Sequence, residues 1–199
     1  MNDTIRNNWS ISQTQPNPLL TPEDLHSHLR LFPTGSPPAH PDDDYITALI
    51  AASTQAAEDY MQRALMPRTV TLKREVFASR LYLPVYPVLS VDSITYTDPD
   101  GDSQTLTDFT FTDAQPAYID IESPPHVFDK GRPVTIVVTA GYAVEDSPPQ
   151  PVPEIFKSAV KLMVGNLYEN RESVTASTIV QKLPMSFEYL LHPHRVMGV

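Results

Sequence analysis

Residues able to do chemistry are few in this chain, and their spacing suits structure better than reactivity. Asp98, Asp100 and Asp102 alternate in the run Asp98-Pro99-Asp100-Gly101-Asp102, which is how a calcium loop begins. Such a loop closes on a glutamate eleven positions after its first aspartate, and that position holds Phe109. A hairpin turn is the simpler reading, with Asp100 and Gly101 supplying the residues that tolerate positive φ. The triplet Asp42-Asp43-Asp44 could ligate a hard cation, but three carboxylates are also what the positive end of a helix dipole favours. His26 with His28, and His192 with His194, stand two positions apart, whereas zinc-binding histidines on one helix face stand four apart. No Gly-x-Ser-x-Gly elbow and no phosphate-cradling glycine loop occurs. A metal-dependent hydrolase would require the acidic clusters to converge. The residues therefore predict no catalytic group, no metal and no cofactor.

Composition narrows the remaining classes. Fourteen Lys and Arg against 24 Asp and Glu give a net charge of −10, which repels phosphate and argues against binding nucleic acid in a basic groove. With no cysteine, disulfides, thiolate metal sites and cysteine nucleophiles are absent. Twenty-one prolines with only 6 glycines predict long, stiff connections, and 41% hydrophobic residues suffice for a core. No long apolar run and no signal-peptide core is present, which predicts a soluble protein made in the cytoplasm, with no membrane partner.

The elements that would position these residues follow from periodicity. Ile155, Phe156, Ala159, Val160, Met163, Val164, Leu167 and Tyr168 form one stripe at helical spacing, and Pro153 and Glu154 suit a first turn. This helix, about 28 Å long at ~1.5 Å per residue, predicts a buried face and needs partners. A second helix opens at Asp42 and carries Tyr45, Ile46, Leu49, Ile50, Ala52, Ala56, Tyr60 and Leu65. Its small residues Ala48, Ala51, Ala52, Ala56 and Ala57 predict a close approach to the first. A short helix starts at Thr21 with Asp24 in the capping-box position and runs to about Leu31. Prolines 33, 37, 38 and 41 then make a surface linker.

Between the long helices the period becomes two. Strands are predicted from Arg68 to about Ala78, at 81–83, 91–97, 105–112, 117–122 and 133–139, with a hairpin at 98–102. The fold class is thus α+β: a small antiparallel helical bundle with an inserted antiparallel β-sheet region and an extended C-terminal tail. Four regions result. Residues 1–41 form a polar, proline-rich arm with a short helix, 42–66 and 151–172 a helical core, 67–150 the β insertion, and 173–199 a docking tail. Within the tail, Ile179 to Leu183 is read as extended and Met185 to Leu191 as one short helix. Lys182 and Arg195 against Glu188 leave the tail a local balance of +1, and it carries apolar anchors. The candidate contacts are Leu183, Met185, Phe187, Leu190, Leu191 and Arg195, expected to bury little against their own domain.

The order of these pieces resembles a known family. Leu49-Ile50-Ala51-Ala52 through Ala57-Glu58-Asp59-Tyr60 to Arg63-Ala64-Leu65 comes first, then Leu83-Pro84, Pro87-Val88, Val91-Asp92-Ser93-Ile94-Thr95-Tyr96 and Asp100-Gly101. Thr139-Ala140-Gly141-Tyr142, Val152-Pro153, Leu167-Tyr168-Glu169-Asn170-Arg171-Glu172, and Leu190-Leu191 before His194-Arg195 complete it. Over residues 42 to 195 the chain resembles the head-tail connector (adaptor) proteins of long-tailed bacteriophages and gene transfer agents. The resemblance implies a structural virion protein of the neck, a ring of twelve copies docked beneath the portal protein. A tail or stopper protein would lie on the other side, and DNA would pass only through the lumen. The competing reading is a β-rich ligand-binding module, which would gather Tyr82, Tyr86, Tyr96 and Tyr118 on one sheet face rather than scatter them.

Overall fold

The computed structural model describes residues 9–14, 17–35, 39–128, 130–142, 151–171 and 185–196. Among these, four α-helices and eight strands in two antiparallel sheets form an α+β fold, divided between two compact units. The β unit is drawn from residues 1–17, 62–151 and 196–199, and the helical unit from residues 18–61 and 152–195.

In the β unit, strands β1 (Ser10–Gln13), β2 (Arg68–Arg74), β4 (Val88–Thr97), β5 (Ser103–Thr105) and β8 (Val134–Ala140) form a sheet in the order β1-β2-β8-β4-β5. Strands β3 (Arg80–Tyr82), β7 (Tyr118–Asp120) and β6 (Thr110–Thr112) form the second, in that order. Alternation puts Val70 and Leu72 of β2 and Val134, Ile136, Val138 and Ala140 of β8 on the buried face. Leu81 and Ile119 of the smaller sheet join the same core. Gly141 follows β8 at φ 117°, and a Cβ there would lie 2.4 Å from the Met66 carbonyl oxygen, so only glycine fits.

Several sequence expectations change here. Within the polar N-terminal arm, Ser10–Gln13 is a strand that pairs antiparallel with Val70–Lys73, and Trp9 is buried in the core under the Arg74 guanidinium, 4.9 Å away. All four β1 residues are exposed, so the strand has no hydrophobic alternation to reveal it. The predicted strand at 105–112 is two strands, β5 and β6, which pair in different sheets. The first predicted strand ends at Arg74 rather than Ala78. Nor are all the tyrosines scattered. Tyr82 and Tyr118 are opposite each other in the β3–β7 register and meet edge to face, centroids 5.8 Å apart.

The helical unit contains α1 (Glu23–His26), α2 (Asp43–Met61), α3 (Glu154–Glu169) and α4 (Met185–Leu191), the last followed by a 3-10 turn at His192–His194. One device starts both α1 and α2: a carboxylate reaches back three residues to a free N–H. Asp24 accepts from the Thr21 amide at 2.9 Å and Asp43 from the His40 amide at 2.8 Å. Helix α1 is shorter than expected because its chain closes in a Schellman pattern. The amides of Leu31 and Arg30 donate to the carbonyls of His26 and Ser27, with Arg30 at φ 56°. Helix α2 stops at Met61, short of Leu65, where Gln62 takes φ 59°.

Helices α2 and α3 pack on each other, as their stripes predict. The buried stripes are Ile46, Ile50, Ser53 and Ala57 of α2, and Phe156, Ala159, Val160 and Val164 of α3. The alanines divide differently from the prediction. Ala57 is buried and Ala56 half-buried, whereas Ala48, Ala51 and Ala52 are exposed on the far side of α2. At 100° per residue, positions 48, 51 and 52 point away from the Ile46–Ile50 stripe.

Candidate functional site

Two carboxylates of the acidic triplet, Asp42 and Asp43, work as a clasp inside the helical unit. Asp42 accepts hydrogen bonds from the Tyr168 hydroxyl and, at 2.7 Å, from Arg171 Nη2. These two donors hold its carboxyl below the usual carboxylate range, while the carboxylate raises the Tyr168 phenol. Arg171 also lies over the Tyr45 ring at 4.8 Å and the Tyr168 ring at 5.0 Å. Asp43 Oδ1 lies 2.7 Å from His26 Nε2, and this contact with the His40 amide lowers the Asp43 pKa. The clasp thus joins the start of α2 to α1 and to the end of α3.

The second acidic cluster is a turn. Asp98 accepts from the backbone amides of Asp100 and Asp102 and from Gln104 Nε2, the last being the largest cause of its lowered pKa. Gly101 sits at φ 96° between them, as the Asp-Gly signal predicts. Among the described residues no group of three or more His, Asp or Glu side chains is arranged to hold a metal ion.

The histidines at the C-terminal end meet aromatic side chains of α2 and α3. His194 meets Phe156 edge on at 5.1 Å, and His192 Nδ1 lies 3.3 Å from the Tyr60 hydroxyl.

The six candidate contacts separate by direction. Leu183 lies outside the described residues. Phe187 and Leu191 are buried, with Phe187 against the Tyr60 ring at 6.2 Å, and Leu190 is half-buried. This part of the C-terminal segment is therefore not a loosely attached tail, because α4 inserts its inner side chains beside α2 and α3. Its outer face is a different surface. Met185 is 85% exposed and Tyr189 81% exposed. With Tyr60, Ser186, Glu188, His192 and Pro193 they line an open, mainly apolar depression, and Arg195 lies over the Tyr60 ring at 5.7 Å. Exposed Met and Tyr beside an Arg have the composition of a protein-binding surface. The sequence reading omitted Tyr189. Its spacing of four from Met185 was the available signal, since residues four apart share a helix face.

No protein-family model matches the chain, and no curated protein matches it. Solved structures do. A chain from the neck of the empty gene transfer agent (GTA) particle, computed with C6 symmetry, superposes with a TM-score of 0.74 at 21% identity, over 96% of this chain and 97% of that one. A chain from the virion of the native GTA particle gives 0.74 at 22% identity, over 95% and 96%. One from the neck of the native GTA particle, computed with C12 symmetry, gives 0.63 at 20% identity, over 94% and 97%. The protein has the fold of these chains along nearly its whole length.

Proposed function

We propose that this chain is a structural subunit of a virion neck, a head-tail connector that seats as a ring beneath the portal and joins the DNA-filled head to the tail. The observation that carries the reading is the near full-length likeness to chains of GTA necks and virions. It coincides with the family that the sequence resembles. The net charge of −10 agrees with a conduit that must let DNA slide without holding its phosphates. Twelve copies form the ring in this reading, made in the host cytoplasm and incorporated in the particle. A tail or stopper protein lies on the face away from the portal. None of the described helices is long and apolar enough to cross a membrane.

The outer face of α4 is the proposed portal contact, with Met185, Tyr189 and Arg195 as anchors and the buried Phe187 and Leu191 fixing the helix that presents them. Truncating the segment would remove these core residues as well, so surface substitutions are the clean test. A Met185→Ser, Tyr189→Asp variant should melt like the unmodified protein yet give particles without tails. Electron microscopy of complete particles should show the chain as a ring on the channel axis below the portal. Density elsewhere, or a persistent C2 dimer in the particle, refutes the reading.

A further inference from the structure

Strand β1 holds to its sheet almost without side chains. Ser10, Ile11, Ser12 and Gln13 are all exposed, and they pair with Lys73, Leu72, Thr71 and Val70 through the backbone. The Thr14 amide extends the pairing by one bond, to the Thr69 carbonyl at 3.0 Å. The run carries no charge and no proline, the devices that ordinarily keep an edge strand from exchanging partners. Trp9 is the one buried side chain among the described residues of this arm, in the core that includes Val70, Leu72 and Val134.

That anchor is imperfect. The Trp9 indole Nε1–H and the Arg74 Nε–H are both buried and neither meets an acceptor, although the guanidinium lies over the indole ring. Burial also lowers the Arg74 pKa. Two donors that have given up water without gaining a partner weaken the docked arm, and opening returns them to water. Behind the arm the chain passes to the other unit. Thr14 still bonds to β2, Leu19 and Leu20 are buried residues of the helical unit, and the stretch between them carries Pro16 and Pro18. From Thr14 to Leu19 a fully extended chain spans about 17 Å.

We propose that Trp9 and β1 are an exchangeable arm, which in the assembled ring leaves its own β2 and seats on the β2 edge and Arg74 of the next copy. The site itself defines the occupant. The β2 edge and the Arg74 corner already fit this arm, so a neighbour's identical arm remakes the same backbone bonds and the same ring contact at little cost. An arm and its receiving edge are unlike surfaces, so the exchange passes from copy to copy and closes with the ring. Main-chain hydrogen bonds then tie each subunit to the next without any new side-chain match. The proposal rests on the ring reading above, and it requires the neighbour's β2 edge to come within the 17 Å reach.

The absence of native cysteine makes the exchange testable in complete particles. Ser12 and Thr71 are opposite each other in the β1–β2 register, a separation that a disulfide spans. Particles with Ser12→Cys and Thr71→Cys in every copy are oxidised, and the chain is sized under denaturing, non-reducing conditions. A ladder of dimers, trimers and larger species is expected, and Ser10→Cys with Lys73→Cys, another opposed pair, should give the same ladder. Particles assembled from equal amounts of the Ser12→Cys and Thr71→Cys single variants should give dimers containing one chain of each. A double-variant ladder that stops at dimers would show reciprocal exchange and overturn the proposal, as would dimers from Ser12→Cys alone. Disulfides closed within single chains, in particles whose rings are visible by electron microscopy, would overturn the exchange and leave the ring reading standing. Thiols that stay reduced in both pairs would show that β1 does not lie on β2 in the particle, which also overturns it. A chain found outside any ring would overturn the exchange and the ring reading together.

Discussion

Ala159→Glu and Ala52→Glu form a matched pair of perturbations, the same change made on helices that share one interface. Ala159 is fully buried where α3 meets α2, whereas Ala52 faces outward on α2. A glutamate at 159 adds volume to a packed face, at about 1–3 kcal/mol, and places a carboxylate where no cation was arranged to receive it. Together these predict a loss of about 3–5 kcal/mol at neutral pH, a large part of the stability of an ordinary domain. The melting temperature should fall by on the order of 10 °C. At position 52 the carboxylate remains in water, and the change should stay within about 0.5 kcal/mol.

The penalty at 159 also has a pH signature. Burial raises the folded-state pKa of the new carboxyl above its unfolded value of about 4.3, so the proton is bound more tightly in the folded form. The destabilisation by charge is then absent below the unfolded pKa and grows as pH rises through the folded one. Urea melts of both variants at pH 5 and pH 7, at a concentration where the protein is monomeric, measure each part. Equal losses at 52 and 159, or an unaffected melt at 159, would refute the pairing of the two helices.

Gly141→Ala should lose about 2 kcal/mol or more, since it adds a backbone clash at Met66 to the strain of φ 117°. Gly101→Ala, at φ 96° with open space around it, should lose only about 1 kcal/mol in the same denaturant titration. Asp42 and Asp43 have folded pKa values below their unfolded ones, so the stability they contribute is present above about pH 4 and is lost as pH falls through the folded values. An Asp42→Asn, Asp43→Asn variant should therefore be less stable than the unmodified protein at pH 7 and approach it in acid; parallel curves across that range would show that the clasp contributes nothing. Trp9→Ala should destabilise the β unit by about 3 kcal/mol and speed amide exchange in Ser10–Gln13 more than in β8; unchanged exchange would mean that Trp9 does not anchor the strand.

The sequence by itself determined the elements whose signal is local. The α3 stripe, the acidic start of α2, the Asp-Gly hairpin and the alternation of β8 are each written in neighbouring residues. The pairing of α2 with α3 followed because their stripes were long enough to cover each other. Only the tertiary structure decided the rest. Ser10–Gln13 is held by backbone hydrogen bonds to β2, a signal that side-chain patterns do not carry. The run at 105–112 offered one set of strand formers but finds partners in two sheets. The role of Asp42 depends on Tyr168 and Arg171, more than a hundred residues away, so no spacing rule could separate a clasp from a helix start. The candidate site shows the same limit. Phe187, Leu191, Met185 and Tyr189 are all apolar or aromatic residues of one short helix, and composition cannot distinguish an anchor from a contact. Packing beside α2 and α3 turns the first two inward and leaves the last two in water, and the same packing, by covering one side of α2, turns Ala48, Ala51 and Ala52 outward.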